Sequence, residues 1–256
     1  MKILKFKKQS KDKYKLYLDN NSDITLYEDV IIKNNLLITK EISDELLEAL
    51  KKQNNDMYAY TLALGYISVK MRSIKEINDY LIKKGFNNLV ANKVSERLIK
   101  EGYLNDLKYT KSFICDSMNL TNKGPQKIKM ELIKYGVNKD IVESEIALID
   151  QRKVEEKLNK LIDKELKIKK GSQNAIKIKL INHFVNLGYS KDLVTSILTG
   201  KEITSDKSKL KKDYAKLYNK YKVKYNGQEL LYFISQKLYS KGYTASDIKE
   251  ILKEEN

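Results

Sequence analysis

The sequence has few of the residues that break regular structure or build metal sites. One proline and 10 glycines occur in 256 residues, and tryptophan is absent. So few breakers favour long helices over a β-sandwich or barrel, which needs a turn signal about every 8–12 residues. A single cysteine, Cys115, excludes an intramolecular disulfide. A single histidine, His183, excludes zinc sites built on paired histidines.

Long apolar runs are also missing. No stretch approaches the roughly 18 apolar residues of a membrane-spanning helix, and the first ten residues lack the apolar core of a signal peptide. A lone thiol fits a reducing compartment. Together these absences predict a cytoplasmic protein without contact to a membrane.

Catalytic motifs are absent as well. The sequence contains no glycine-rich phosphate loop and no nucleophile elbow. Cys115 stands beside apolar residues on a predicted helix, which predicts a buried thiol. His183 lies between apolar positions, but the matching positions elsewhere in the chain are mostly polar, which predicts a surface residue. We therefore expect no catalytic residue, no cofactor and no metal, and we expect that the protein is not an enzyme.

Charge gives the first positive indication of function. Fifty basic residues face 34 acidic ones, for a formal net charge of +16. A basic balance predicts a polyanionic partner such as nucleic acid or a nucleoprotein. Only three of the basic residues are arginine, and a chain rich in Lys, Asn, Ile and Tyr is typical of an AT-rich genome. A solvated lysine surface without a partner therefore stays an open alternative.

The first 56 residues differ from the rest of the chain. Lys2–Phe6 and Tyr14–Leu18 alternate between polar and apolar residues, which predicts a β-hairpin across the polar run from Lys8 to Lys13. Ile24–Leu26 is a candidate third strand. Two short helices are predicted to follow, at Tyr27–Asn34 and Ser43–Lys52.

From residue 57 onward the pattern is helical and repeats four times. Four glycines, each followed by a bulky apolar residue, recur at spacings of 51, 52 and 54: Gly85, Gly136, Gly188 and Gly242. Four positions before each glycine stands a large apolar residue, namely Leu81, Leu132, Phe184 and Leu238. Three positions before each stands another, namely Ile82, Ile133, Val185 and Tyr239. We expect both sets on the buried face of a helix that ends in a left-handed glycine cap.

Each glycine then joins two amphipathic helices, and a third helix precedes each pair: Tyr58–Lys70, Asp106–Met118, Arg152–Leu166 and Lys207–Lys220. The predicted fold is mainly α, a tandem array of four three-helix repeats in an elongated arrangement after a small segment with two or three β-strands. The predicted boundaries are 1–56, 57–104, 105–151, 152–203 and 204–256. One such unit buries little core, so neighbouring units must brace each other.

Basic residues cluster where the first helix of a repeat meets the second. The candidate binding residues are Lys70, Arg72, Lys123, Lys127, Lys169 and Lys170. Because the units repeat, these junctions predict a basic row that matches a row of phosphates or carboxylates. The alternative is that they are solvated lysines near helical carbonyl ends. The 18 tyrosines, among them Tyr189, Tyr239 and Tyr243, are expected to pack in repeat cores rather than stack on bases.

Two of the repeats resemble the RecX family. The resemblance rests on Arg72-Ser73-Ile74-Lys75-Glu76-Ile77 with Lys84-Gly85-Phe86 in the first repeat. In the second it rests on Leu104-Asn105-Asp106, Tyr109, Lys123-Gly124-Pro125-Gln126-Lys127-Ile128 and Gly136-Val137. The later repeats are more divergent, and the strand-bearing start is similar to that of longer Gram-positive members.

The resemblance implies a regulator without catalytic activity. It implies binding to the RecA filament on single-stranded DNA, in the filament groove, with inhibition of ATP hydrolysis, strand exchange and extension. It also implies roles in recombination, DNA repair and the SOS response. Single-stranded DNA is an implied partner, double-stranded DNA a further candidate, and we expect a monomer. A helical DNA-binding protein that acts without RecA is the alternative. The family often carries an arginine-rich version of the Lys70–Arg72 region, which here holds one arginine.

Overall fold

The structure is a computed structural model that describes residues 1–254. An antiparallel sheet opens the chain: β1 (Ile3–Ser10), β2 (Lys13–Leu18) and β3 (Asp23–Tyr27). Helices follow to the end of the described chain: α1 (Glu28–Lys33), α2 (Leu36–Thr39), α3 (Asp44–Ile67), α4 (Ile74–Lys83), α5 (Asn88–Lys100), α6 (Asp106–Leu120), α7 (Pro125–Lys134), α8 (Lys139–Ala147), α9 (Gln151–Leu166), α10 (Gln173–Asn186), α11 (Lys191–Thr199), α12 (Lys207–Tyr221), α13 (Gly227–Ser240) and α14 (Ala245–Glu254). The mainly helical fold with three-helix repeats after a strand-bearing start is confirmed. Residues 255 and 256 of the predicted fourth repeat lie outside the described residues.

The three strands form one sheet in the order β1-β2-β3. Phe6 pairs with Leu16, and Leu16 pairs with Ile24, so alternate residues share one face. Leu16 and Leu26 are fully buried on that face. The candidate third strand is therefore confirmed. β1 continues to Ser10, so the polar run predicted as a loop is mostly strand, since lysines are well tolerated on an exposed edge strand.

α3 differs from the prediction, because the two helices expected at Ser43–Lys52 and Tyr58–Lys70 are one helix of 24 residues. The Ser43 side chain accepts from Leu46 N–H and begins the helix. The intervening polar run contains neither glycine nor proline, so nothing interrupts the backbone hydrogen bonds. Asn54, in that run, accepts from Tyr27 N–H and donates to the Thr25 carbonyl. The predicted boundary after residue 56 thus lies inside a helix that ties the sheet to the first repeat.

The glycine register positions the helices as predicted. Gly85, Gly136, Gly188 and Gly242 have φ of +93°, +81°, +92° and +88°, a conformation that costs glycine little. The residues four positions before them are at most 1% exposed. The residues three positions before were wrongly placed in the core: Ile82, Ile133, Val185 and Tyr239 are 40–69% exposed. Each of these residues directly follows the buried one, and consecutive residues point about 100° apart around an α-helix. The second residue therefore lies outside the narrow buried stripe.

The chain divides into two compact units. The first consists of Met1–Thr110 with Lys134–Asn138, and the second of Lys111–Ile133 with the described residues from Lys139 onward. In the first unit, one core surrounds Leu16 under the sheet and another surrounds Leu81. In the second unit, one core surrounds Leu180 and another surrounds Leu238. Separate cores agree with a chain built of small repeats.

Candidate functional site

The candidate basic residues occupy equivalent loops of three successive repeats. Lys70 and Arg72 lie between α3 and α4, Lys123 lies between α6 and α7 with Lys127 in the first turn of α7, and Lys169 and Lys170 lie between α9 and α10. Each loop ends at the residue that caps or precedes the middle helix of its repeat. The repeat pattern in the sequence therefore predicted the position of these loops. Their basic side chains differ in exposure and in whether they form ion pairs.

Arg72 is held inside the first unit. Its guanidinium lies 3.8 Å from the centroid of the Tyr66 ring and 3.3 Å from the Glu76 carboxylate. The side chain is only 12% exposed. Cation–π stacking and the ion pair fix the planar group, so Arg72 is largely a structural residue of its loop.

The same loop is fixed by two further carboxylate contacts. Glu76 accepts from Ser73 N–H at 3.0 Å and completes a capping box at the start of α4. Asp106 accepts from Ile74 N–H at 3.0 Å. Burial, with a contribution from the nearby Glu76, raises the pKa of Asp106 above its ordinary value. Residues that carry the family resemblance thus hold the start of α4.

The remaining lysines divide into paired and unpaired groups. Lys123 forms an ion pair of 2.6 Å with Glu131, and Lys169 forms one of 3.0 Å with Glu165. Within residues 1–254, the other three form no ion pair: Lys70, Lys127 and Lys170. Lys70 and Lys170 are exposed. Lys127 is partly buried, so Lys70 and Lys170 carry the most available charge and Lys127 adds a third unpaired charge.

The loops also form joints between repeats, which the sequence reasoning missed. Ser73 Oγ donates to the Tyr135 carbonyl, Gly124 N–H to the Leu187 carbonyl, and Ser172 Oγ to the Lys241 carbonyl, at 2.6, 2.7 and 2.6 Å. Each acceptor is the residue before a repeat glycine. A signal existed in the sequence, because a serine or glycine precedes each of these middle helices while the glycine turn recurs one repeat later.

Two of the repeat glycines leave no room for a side chain, and a third leaves little. A Cβ on Gly136 would lie 2.5 Å from Lys75 Cβ, and one on Gly188 would lie 2.6 Å from Lys127 Cβ. One on Gly242 would lie 3.0 Å from Ser172 Oγ. Gly85, in the first repeat, has open space at this position. The glycine turn is therefore both a helix cap and a contact surface for the preceding repeat.

Lys157 on α9 is a partly buried cation that sequence reasoning did not single out. Its ammonium donates to the Ser117 carbonyl at 3.3 Å and the Lys123 carbonyl at 3.0 Å. Burial lowers the pKa of Lys157. Lys157 thereby ties α9 to the loop that carries Lys123.

The single cysteine and histidine take no part in these loops. Cys115 is exposed, so the prediction that it is buried is wrong. Its apolar neighbours Phe113 and Ile114 are only partly buried, so this part of α6 is not fully covered. His183 is exposed, as predicted. Among residues 1–254, no group of three or more His, Cys, Asp or Glu residues could hold a metal ion.

Comparisons with known proteins decide the family. Residues 59–98 match the family model described as RecX, first three-helix domain, and residues 105–144 match RecX, second three-helix domain. The chain is 36% identical to Regulatory protein RecX of Streptococcus uberis over 99% of both chains. It is 32% identical to Regulatory protein RecX of Streptococcus agalactiae, also over 99% of both.

The chain belongs to the RecX family. Solved structures agree on the fold. The crystal structure of a regulatory protein RecX superposes with a TM-score of 0.68 at 22% identity, and covers 77% of this chain and 98% of its own. RecX from Lactobacillus salivarius gives 0.53 at 26% identity, over 57% and 96%. The relatives that share the full length are regulatory proteins, so the chain is a RecX-type regulator. Within residues 1–254, every helix is too short or too polar to cross a membrane.

Proposed function

We propose that the protein is a non-catalytic regulator of the RecA filament on single-stranded DNA. It binds the filament, inhibits its ATP hydrolysis, strand exchange and extension, and so modulates homologous recombination and SOS-linked DNA repair in the cytoplasm. The observation that carries the proposal is the match over 99% of the chain to proteins named Regulatory protein RecX. The match extends over the strand-bearing start as well as over the repeats.

The surface proposed for this contact is the set of junction loops with Lys70, Arg72, Lys123, Lys127, Lys169 and Lys170. Lys70, Lys127 and Lys170 supply the free charge, while the glutamate partners of the other three reduce theirs. A filament presents phosphates and carboxylates at regular intervals, and equivalent loops of successive repeats carry lysines at a recurring place in the sequence. We propose a monomer as the binding form, with no cofactor.

A second candidate function is direct action on DNA. A net charge of +16 favours binding to single-stranded or double-stranded DNA without RecA. The two candidates differ in one respect, because only the first requires RecA for tight binding.

The experiment is a RecA ATPase assay on single-stranded DNA with substoichiometric amounts of the protein. We expect hydrolysis to fall well below the RecA-only rate. Replacing Lys70, Lys127 and Lys170 together by Ala should raise the concentration needed for inhibition. The matched control replaces Lys33, Lys108 and Lys191, which are exposed and unpaired within residues 1–254, and should inhibit like the unchanged protein. Unchanged hydrolysis at excess protein would contradict the proposal.

A further inference from the structure

An open groove lies within the second unit, beside the junction loop between α6 and α7, and Lys70, Lys127 and Lys170 are not among the residues that line it. Its walls come from α6 with the loop after it, from the end of α8, and from α9, and its volume is about 710 Å³. The groove is too open to enclose a small molecule, and an open groove between helices can accept a segment of polypeptide or polynucleotide.

The apolar part of the groove is aliphatic. Leu120 and Leu148 are 80% and 75% exposed, and Ile114 and Met118 lie beside them. All the residues that line it within residues 1–254 are non-aromatic. Single-stranded nucleic acid is held by aromatic platforms on which bases stack, whereas leucine and methionine surfaces accept the apolar face of a peptide helix. The lining therefore favours a peptide.

The charged part of the groove is mostly lysine. Lys153, Lys157 and Lys160 recur at helical spacing on one face of α9, and Lys111 stands on the opposite wall. Four lysines outnumber two glutamates, Glu145 and Glu156, among the lining residues. Glu145 is already engaged by Lys111 at 3.8 Å. Within the described residues, Lys153 and Lys160 form no ion pair. Their charge is free to complement carboxylates.

The spacing of the lysines fits one kind of occupant. Lys153 and Lys160 are seven residues apart, about 10 Å or two helical turns along α9. A helix laid along α9 with acidic residues at the same spacing can place a carboxylate near each ammonium. The side chains on the opposite face of that bound helix would then lie on Leu120 and Leu148.

We propose that this groove binds an acidic amphipathic segment of a partner protein, with aliphatic side chains on Leu120 and Leu148 and carboxylates on Lys153 and Lys160. The inference does not rest on the proposed function, because the groove is defined without reference to RecA or DNA. It adds a peptide-docking surface to the junction loops.

Cys115 provides the readout, because it lines the groove, is exposed and is the only cysteine in the chain. The probe is a synthetic peptide of about 16 residues, roughly 24 Å when helical, with leucines on one face and glutamates on the other. A control peptide has the same composition in an order without an apolar face. A second control is an oligothymidylate of about 15 nucleotides. The rate of Cys115 modification by a thiol reagent is measured against the concentration of each.

We expect the amphipathic peptide to slow modification about tenfold at the concentration where roughly 90% of the groove is occupied. The rearranged peptide and the oligonucleotide should leave the rate unchanged. Combining Leu148→Ala with Lys153→Glu and Lys160→Glu should abolish the protection while the melting temperature stays the same, since all three side chains are exposed. The control Lys191→Glu with Lys216→Glu changes exposed lysines outside the groove and should keep it.

Three results would overturn the proposal. One is an unprotected Cys115 at millimolar amphipathic peptide. Another is protection by the oligonucleotide instead of the peptide, which would assign the groove to nucleic acid. The third is equal loss of protection in the groove variant and the control variant, which would show unspecific attraction between peptide and protein.

Discussion

Ser73 Oγ donates a hydrogen bond of 2.6 Å to the carbonyl of Tyr135, 62 residues away in the chain. Ser172 repeats the contact with Lys241 at the same distance, and Gly124 makes it through its backbone N–H. The start of the middle helix in each of the first three repeats therefore binds the glycine turn of the following repeat. This device explains how small three-helix units brace each other, and it fixes the loops in which the candidate binding lysines stand.

Removing one such bond tests the joint. Ser172 is 3% exposed, so Ser172→Ala removes a buried hydroxyl group and leaves the Lys241 carbonyl without this donor. We expect a loss of about 1–3 kcal/mol in the free energy of unfolding, measured by urea denaturation. Ser246→Ala, on the exposed face of α14, is the control and should change little. Equal stability of both variants would show that the bond contributes nothing to the fold.

The repeat glycines give a matched pair. Gly85→Ala should cost about 1 kcal/mol or more, because alanine resists the positive φ. Gly136→Ala has the same backbone strain, and its Cβ would also collide with Lys75 Cβ at 2.5 Å. It should therefore destabilise the protein more than Gly85→Ala does, as measured by denaturant midpoints. Equal losses at both glycines would show that the close approach at Gly136 has no energetic weight.

Adjacent residues on α4 test the buried stripe. Leu81 is fully buried and Ile82 is 44% exposed. Leu81→Ala should cost about 2–5 kcal/mol through lost burial and a cavity, and Ile82→Ala should cost well under half of that. Thermal unfolding of the two variants checks the difference. A larger loss for Ile82→Ala would reverse the orientation of the helix.

Much of the fold was predictable because the repeats made a weak signal recur four times. The glycine caps and the buried residues four positions before them follow from helical period and backbone sterics alone. The continuity of α3 did not follow. A polar run of glutamine and asparagines resembles a loop, and only the contacts of Asn54 with Tyr27 and Thr25 show why it stays helical.

The candidate site was predictable only in part. The position of the basic loops follows from the repeat, but the state of each side chain depends on its neighbours in space. Arg72 has the charge of a binding residue, yet Tyr66 and Glu76 enclose it. Cys115 and Tyr239 are exposed. Apolar neighbours in the sequence do not determine which side of a helix another element covers, so their exposure could not be predicted.

A carboxylate in the last repeat makes stability depend on pH. Burial alone would raise the pKa of Asp213, but hydrogen bonds from Lys241 Nζ at 2.7 Å and Tyr243 Oη at 2.8 Å outweigh it and lower the pKa. A depressed folded-state pKa contributes stability above the unfolded value of about 3.9, which is lost as the pH falls through the folded value.

Asp213→Asn should therefore reduce the loss of stability on acidification below about pH 4. Denaturation midpoints at several pH values check this, with Asp116→Asn, an exposed residue of α6, as the control. An identical acid dependence in the Asp213→Asn variant and the unchanged protein would contradict the role of Asp213.

The most direct test of the central claim compares affinity for naked single-stranded DNA with affinity for RecA-coated single-stranded DNA across a range of salt concentrations. Binding to naked DNA should be weak, with a log–log salt slope of about −0.7 per phosphate contacted. Binding to the coated strand should be tighter and less dependent on salt, because protein contacts add to charge. Replacing Lys70, Lys127 and Lys170 by Ala should weaken both and reduce the slope. Equal affinity and equal salt slope for naked and RecA-coated DNA would contradict this claim and would show that the protein binds DNA without a contribution from RecA.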